Sequence, residues 1–168
     1  TAQEHKGKDL KGLKMAYIGD GNNMTHSLMY ACAKVGMNFA SASPKGYEPN
    51  AQVVANAKLD AAQSGSTIEI LNDPFAAAKD ADILYTDVWA SMGQEAEHDE
   101  RVKIFKDYQI NNELLSVADK RAIVMHCLPA HRGEEIAEDV LEKNANVIFD
   151  EAENRLHTQK AIMALLMG

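Results

Sequence analysis

The sequence predicts an α/β protein built as three layers, with a mostly parallel, Rossmann-like sheet between helices on both of its faces. Short apolar runs of strand length alternate with segments of helical periodicity along the chain. That alternation implies right-handed crossovers between parallel strands. The 168 residues, 46% of them hydrophobic, are enough for a domain with its own core, and no repeat divides them. We therefore interpret residues 1–168 as a single domain.

The first half of the chain carries four predicted strands, the first at 14–18, where an apolar run meets a glycine turn. Residues 24–35 follow as a helix, because their apolar positions recur at helical spacing and Gly36 offers a C-cap. Asn50 can cap a second helix, and Pro74 suits the first position of a third. The other elements predicted here are strands 37–41, 67–71 and 82–86 and a helix at 50–63.

The second half opens with a strongly charged segment, 94–106. Glu97–Arg101 and Asp99–Lys103 are spaced four residues apart with the acid first, which is typical of an exposed helix. The remaining predicted elements are helices 112–118, 135–142 and 151–167 and strands 121–125 and 146–149.

Composition excludes several classes of protein. With 17 basic and 25 acidic residues the formal net charge is −8, which disfavours binding to nucleic acids or anionic membranes. No apolar run approaches the ~20 residues that span a bilayer, and residues 1–9 contain no signal-peptide core. Cys32 and Cys127 lie far apart in sequence. Two reduced thiols in a cytoplasmic protein are therefore expected, rather than a disulfide.

Ligands of parallel α/β sheets bind beyond the carboxyl ends of the strands, so the residues after each predicted strand are candidates. The first such segment, 19–23, combines a glycine turn with a helix N-terminus and can bind an anion. The alternative is a plain turn with a capping Asn. A dinucleotide fingerprint needs a further glycine where Met24 stands and an acid where 41–43 is Ser-Ala-Ser, so a nicotinamide cofactor is disfavoured.

The fourth predicted strand is followed by Asp87, which can bind an ammonium group, the alternatives being a helix cap or a surface charge. The segment 89–93 follows it and contains the only tryptophan, Trp89. Its small residues and Gly93 predict a loop that closes over a ligand, the alternative being a static turn.

The fifth predicted strand runs into His126, Cys127, Leu128 and Pro129. Cys127 is interpreted as a thiol in the cleft, with an inert core thiol as the alternative. Two weaker hypotheses stay open: a zinc site made of His126, Cys127 and His131, and a Cys–His hydrolase.

Arg155 stands near the predicted start of the last helix, where a cation opposes the helix dipole. That placement favours a ligand-binding arginine. A salt bridge to the acids that precede it is the alternative.

Taken together, these segments resemble the second half of the ornithine carbamoyltransferases over essentially the whole chain. The Ser-Met-Gly loop and Cys127 favour ornithine, since the related aspartate enzymes carry Pro in the place of Cys127. The matching signatures, in the order of the family, are Gly-Asp-Gly-Asn-Asn at 19–23, Asp-Val-Trp at 87–89, Ser-Met-Gly at 91–93, His-Cys-Leu-Pro at 126–129 and Glu-Ala-Glu-Asn-Arg at 151–155.

The resemblance implies a site for L-ornithine. Asn23, with its neighbour Asn22, would hold the α-carboxylate. Asp87 would bind the α-ammonium group, and Ser91 and Met92 would help it from the closing loop.

The resemblance also implies a reaction, the attack of the neutral δ-amine of ornithine on carbamoyl phosphate to give citrulline and phosphate. Cys127 would lie near the amino groups of ornithine, and the backbone of Cys127 and Leu128 would hold the carbamoyl group. Arg155 would reach the carbamoyl phosphate. No cofactor and no metal are implied, because carbamoyl phosphate is already activated.

The family's other half carries Ser-x-Arg-Thr and His-Pro-x-Gln motifs, and neither string occurs here. The chain therefore resembles the ornithine-binding half alone, with 1–12 leading in from a carbamoyl-phosphate domain. We expect it to be inactive alone and the full-length enzyme to be a homotrimer, cytoplasmic or, in an animal, in the mitochondrial matrix. Two alternatives are an amino-acid-binding module without catalysis and a transferase for another amine such as putrescine. Putrescine has no α-carboxylate for Asn23 to hold.

Overall fold

A computed structural model of the protein describes residues 1–90, 93 and 95–167. Five strands form one sheet in the order β3-β2-β1-β4-β5, and all neighbours are parallel. The chain moves outward from β1 to β3 and then returns to the other side of β1, so the strand order reverses between β1 and β4. The strands are β1 Lys14–Ile18, β2 Asn38–Ala42, β3 Ile68–Leu71, β4 Ile83–Thr86 and β5 Ile123–His126.

Helices cover both faces of the sheet, which confirms the predicted three-layer architecture. One buried cluster contains residues of α4, α6 and α7, and the other contains residues of α2 and α3. The helices are α1 Ala2–Lys6, α2 Asn23–Val35, α3 Ala51–Ser64, α4 Pro74–Ala78, α5 His98–Phe105, α6 Asn112–Leu115, α7 Glu138–Lys143 and α8 Ala145–Met167, with 3-10 turns at Glu95–Glu97 and Lys106–Tyr108.

At three helices, the residues predicted to begin or end the helix do so in the structure. The Asn50 side chain accepts hydrogen bonds from two backbone N–H groups at the start of α3. Pro74 is the first residue of α4, and Gly36 ends α2 in the left-handed conformation. No helix within the described part of the chain is both long and apolar enough to cross a membrane.

The predicted sixth strand, 146–149, is wrong, because those residues form the first turn of α8. Two side chains take the place of a strand at the free edge of β5. The Val124 N–H donates to Asn144 Oδ1 at 3.1 Å, and the His126 N–H donates to Glu151 Oε2 at 3.1 Å. The run of three apolar residues at 147–149 fits either a strand or a buried helical turn, so the sequence pattern could not separate them.

Three predicted helices have different limits in the structure. The helix predicted at 135–142 begins at Glu138, and the one at 112–118 ends at Leu115. The charged segment begins as a 3-10 turn before α5, and Gln94 lies outside the described residues. The face of α5 was predicted as exposed, yet Arg101 and Phe105 are buried.

Candidate active site

The carboxyl ends of β1, β4 and β5 surround a cavity of about 810 Å³ at the point where the strand order reverses. This is where ligands bind in open α/β sheets. The cavity is lined by Asn23, Met24, Tyr85, Asp87, Val88, Ala90, Cys127, Leu128, Pro129, His131, Glu151 and Arg155.

Asp87 joins the three strand ends. Its Oδ2 accepts a hydrogen bond from Asn22 Nδ2 at 3.1 Å, and its Oδ1 accepts from the Val88 N–H at 2.8 Å and from the Cys127 thiol at 3.1 Å. The residue is 8% exposed, so a carboxylate is held at the cavity wall with little solvent around it. Such a group attracts a cationic ligand more strongly than a surface carboxylate does.

Asn22 and Asn23 play different parts. The Asn22 Oδ1 caps α2 by accepting from the N–H groups of Met24 and Thr25, while its amide nitrogen donates to Asp87. Asn22 is therefore occupied as a bridge between the helix and Asp87. Asn23 is exposed and lines the cavity, which leaves its amide available to a ligand.

The glycine turn before α2 has a steric cause. A Cβ on Gly21 would lie 2.2 Å from the backbone nitrogen of Pro49, where the chain of 47–49 crosses the turn. Gly21 also donates its N–H to the Tyr47 carbonyl at 2.8 Å. The motif thus shapes the rim of the cavity by allowing two backbones to approach closely.

The Cys127 thiol is half-buried at the cavity and donates to Asp87. Burial and the negative charge of Asp87 raise the pKa of this thiol well above the ordinary range. Cys127 is therefore a neutral hydrogen-bonding group at neutral pH, which disfavours the Cys–His hydrolase because that chemistry needs a thiolate. Cys32 is buried in α2, where burial raises its pKa to about 12, and both thiols are free.

His126 positions the turn that follows β5. Its Nδ1 accepts the Leu128 N–H at 2.9 Å, so its Nε2 carries the proton and donates to Glu135 Oε1 at 3.1 Å. Glu135 Oε1 also accepts the His131 N–H at 2.6 Å. His126 and Glu135 are fully buried, and Leu128 adopts a left-handed conformation with φ 55°. The pair therefore fixes a backbone geometry that leucine rarely adopts unaided.

The predicted zinc trio does not assemble. His126 is engaged by Glu135, and the one cluster of potential metal ligands among the described residues contains His98, His131 and Glu134 instead.

Tyr85 and Glu151 form a second buried contact at the cavity. The tyrosine hydroxyl donates to Glu151 Oε1 at 2.5 Å, and burial raises the pKa of both side chains. Neither residue was predicted from the sequence to have a role in the site. Glu151 lay within a matched motif, and Tyr85 could have been noticed as a polar aromatic in an apolar strand.

Arg155 lines the cavity from α8, four residues after Glu151. The sequence predicted Arg155 near the start of the last helix, where a cation opposes the helix dipole. That placement is wrong, because Arg155 lies well inside a helix that starts at Ala145. The alternative salt bridge is not formed with any described residue. The guanidinium is exposed and available to an anion.

The loop after Asp87 is only partly described, and the predicted ligands Ser91 and Met92 lie outside the described residues. Trp89 is buried and stacks on Phe105 at 6.0 Å between ring centroids. Gly93 has a φ of 89°, which glycine adopts readily.

Arg101 anchors this loop, although the sequence analysis placed it on an exposed face. Its guanidinium binds the Asp20 carboxylate and the Trp89 carbonyl, and it lies 5.0 Å from the Tyr47 ring and 5.1 Å from the Phe105 ring. The signal for burial was present in the sequence, since Phe105 follows Arg101 by four residues on the same helical face.

Comparison with known proteins agrees with this geometry. Residues 11–166 match the family model for the Asp/Orn-binding domain of aspartate/ornithine carbamoyltransferases. The chain belongs to this carbamoyltransferase family. It is 57% identical to the ornithine carbamoyltransferase of Thermococcus kodakarensis over 168 residues, which are 100% of this chain and 53% of that protein.

Solved carbamoyltransferase structures share the fold. The ornithine carbamoyltransferase of Pyrococcus furiosus superimposes with a TM-score of 0.93 at 54% identity, over 99% of this chain and 53% of that one. The enzyme from Gloeobacter violaceus gives a TM-score of 0.90 at 53% identity, over 99% of this chain and 55% of that one. The chain thus spans about half the length of the carbamoyltransferases it matches.

Proposed function

We propose that the chain is the ornithine-binding half of an ornithine carbamoyltransferase, which makes citrulline and phosphate from L-ornithine and carbamoyl phosphate. The observation that carries the proposal is the buried Asp87 carboxylate, which lines one cavity together with the exposed Asn23 amide and with the Arg155 guanidinium, for which no described residue is an ion-pair partner. An anion, an amide and a cation in one cavity complement the charges of both substrates. The names of the relatives support the same choice.

The amino-acid head of ornithine is a zwitterion, and the cavity offers a partner for each charge. Asp87 binds the α-ammonium group, and the Asn23 amide donates to the α-carboxylate. Hydrogen bonds to charged groups contribute about 1.5–3 kcal/mol each. Asn22 acts indirectly, by orienting Asp87 through the bond at 3.1 Å. Ser91 and Met92 are proposed to complete this pocket from the loop.

The carbamoyl group lies at the turn after β5. The Leu128 N–H is already bonded to His126, so the carbonyl oxygens of Cys127 and Leu128 accept from the carbamoyl NH₂ group. Arg155 stabilises the negative charge that develops on the carbonyl and phosphate oxygens. The neutral Cys127 thiol lies beside the ornithine amino groups without adding a charge there.

The reaction forms one bond and breaks one. The lone pair of the neutral δ-amine attacks the carbamoyl carbon, and the bond from that carbon to the phosphate oxygen breaks with its electron pair. The leaving phosphate takes the proton from the former δ-amine, and citrulline results. No described residue is required as the base.

The remainder of the enzyme is proposed to bind the phosphate of carbamoyl phosphate. The full-length protein is proposed to be a homotrimer that works in the cytoplasm, in the biosynthetic direction. The Pyrococcus furiosus relative is named anabolic, which supports that direction.

The test is citrulline formation by full-length enzyme that contains this chain. Asp87→Asn should keep the fold and lower kcat/KM for ornithine by roughly ten- to a hundredfold, the loss expected for one charge-assisted bond. Asp60→Asn, which removes an acid on α3 paired only with the exposed Lys34, should have no effect. Equal activity of the two variants, or no citrulline from the unmodified enzyme, would contradict the proposal.

A further inference from the structure

His98, His131 and Glu134 lie together beside the cavity, and the proposed transferase reaction uses none of them. His98 Nε2 is 3.0 Å from Glu134 Oε2, and His131 Nδ1 is 3.8 Å from the same oxygen. The three ligand atoms all lie within 4.8 Å of one another. All three side chains are partly exposed, so an ion can reach them from solvent.

We propose that these three residues bind a divalent metal ion of the zinc class. Two imidazoles and one carboxylate suit zinc, cobalt or nickel, whereas magnesium and calcium prefer ligand sets made of oxygen. Zinc–ligand bonds of about 2.0–2.1 Å place tetrahedral ligands ~3.3 Å apart, between the two distances measured here. Three protein ligands leave one position for water.

The ligands are held in place from both sides. His131 and Glu134 belong to a short loop whose backbone is fixed by Gln109, which donates to the carbonyls of Gly133 and Glu134 at 2.9 and 2.8 Å. His98 begins α5, and Arg101 clamps that helix one turn later. Little reorganisation is therefore needed to bind an ion.

A second observation independently calls for a cation here. Glu135 Oε2 is fully buried and has no hydrogen-bond partner among the described residues. It lies 3.9 Å from His131 Nδ1, the same ring nitrogen that is 3.8 Å from Glu134 Oε2 and would bind the metal. The nearest arginine along the chain, Arg132, is turned away to Glu142 at 2.8 Å. Among the described residues, Glu134 and Glu135 form ion pairs with histidines alone and with no lysine or arginine.

An ion bound at this position would connect two elements of the fold. His98 follows the loop that leaves β4, and His131 follows the turn that leaves β5 and lines the cavity. A bound ion would therefore join the start of α5 to the turn after β5. The inference does not depend on the proposed transferase activity, because it concerns binding alone.

The experiment is titration of the metal-free chain with Co²⁺, followed by visible absorption, and with Zn²⁺, followed by calorimetry. One ion per chain is expected. His98→Ala and His131→Ala should each weaken binding at least tenfold. His157→Ala should leave it unchanged, since His157 is an exposed histidine that touches a single carboxylate, Glu153 at 3.4 Å. A cobalt spectrum without a thiolate charge-transfer band is also expected, because Cys127 is not a ligand.

Absence of binding, equal binding by all three variants, or a thiolate band would overturn the proposal. A second measurement needs no variant. Zn²⁺ should protect His98 and His131 of the unmodified chain from diethyl pyrocarbonate, as located by mass spectrometry, and should leave His157 unprotected. Modification of His98 and His131 at the same rate with and without Zn²⁺ would also overturn it.

Discussion

Single residues at the cavity do more than one task, and Asp87 is the clearest case. It ties α2 to the ends of β4 and β5 through Asn22, Val88 and Cys127, and the same carboxylate is the proposed partner of the ornithine ammonium group. Because its hydrogen bonds hold it in place before ligand arrives, binding need not order it.

The pKa of the Cys127 thiol depends on the negative charge of Asp87. In the native chain iodoacetamide should label Cys127 before the buried Cys32, and slowly, because the raised pKa of Cys127 leaves little thiolate at neutral pH. Asp87→Asn removes a negative charge that disfavours the thiolate. The pKa of Cys127 should therefore fall, and its labelling at pH 8 should become several times faster.

The measurement is the pH dependence of the labelling rate, with Asp60→Asn as the control that should not change it. Faster labelling of Cys32 than of Cys127, or slower labelling of Cys127 in Asp87→Asn, would show that the assignment is wrong.

Glu135 should contribute to stability through two donors, of which the His126 Nε2–H is fully buried and the His131 N–H is partly buried. In Glu135→Ala, the His126 Nε2–H and the His131 N–H lose their acceptor, and each unpaired buried group costs about 1–3 kcal/mol. Glu135→Gln keeps one oxygen in place and should cost less. Urea unfolding measures both, and equal losses for the two variants would argue against the role of the acceptor.

At the scale of elements, α5 holds the loop after β4. Arg101 is 4% exposed and is bonded to Asp20 after β1 and to Trp89 after β4. The helix is therefore pinned to two strand ends by one side chain. The sequence pattern indicated only the pair with Glu97, which in the structure is 4.0 Å away and peripheral.

Arg101→Met should lower the free energy of unfolding by about 3–5 kcal/mol, because it leaves the largely buried Asp20 carboxylate without its partner. Arg121→Met is the matched control, since Arg121 pairs with Asp119 at an exposed site where an ion pair contributes little to stability. Chemical denaturation of both variants tests the difference. A similar small loss in each would contradict the role of Arg101.

The sequence predicted correctly those helices that begin or end at residues acting within their own turn. Asn50, Pro74 and Gly36 act through their own turns, so α2, α3 and α4 could be placed from the sequence. The prediction of a strand at 146–149 is wrong because the outcome depends on contacts distant in sequence: Asn144 and Glu151, which flank this segment, accept hydrogen bonds from Val124 and His126 at the edge of β5. The role of Glu135 likewise depends on contacts that neighbouring residues do not encode, and the spacing of Arg101 and Phe105 indicates a shared face without identifying Asp20 and Trp89 as the partners of Arg101.

At the scale of the whole molecule, the chain is proposed to offer one wall of a two-substrate site. Asn23, Asp87 and Arg155 could be named from the motifs, and the structure brings all three to one cavity. Apart from Arg155, the groups proposed to bind the phosphate belong to the remainder of the enzyme. The exposed apolar side chains near the end of α8, Leu165 and Leu166 among them, are a surface that the rest of the enzyme is proposed to cover.

The 168-residue chain alone should therefore form no citrulline. Positioning two reactants together can lower a barrier by ~7–11 kcal/mol, and one wall of the site cannot supply that. The check is a colorimetric citrulline assay of the purified chain beside the full-length enzyme. Turnover by the chain at a rate near that of the full-length enzyme would contradict the division of labour.

The most direct test of the central claim is calorimetry of the full-length protein with inorganic phosphate present. Norvaline carries the amino-acid head of ornithine without the δ-amine, and putrescine carries two amines without a carboxylate. If Asp87 and Asn23 recognise the head, norvaline should bind at least tenfold more tightly than putrescine. Asp87→Asn should weaken norvaline binding by roughly ten- to a hundredfold, and Asp60→Asn should not change it. Tighter binding of putrescine, or norvaline binding unaffected by Asp87→Asn, would contradict the claim.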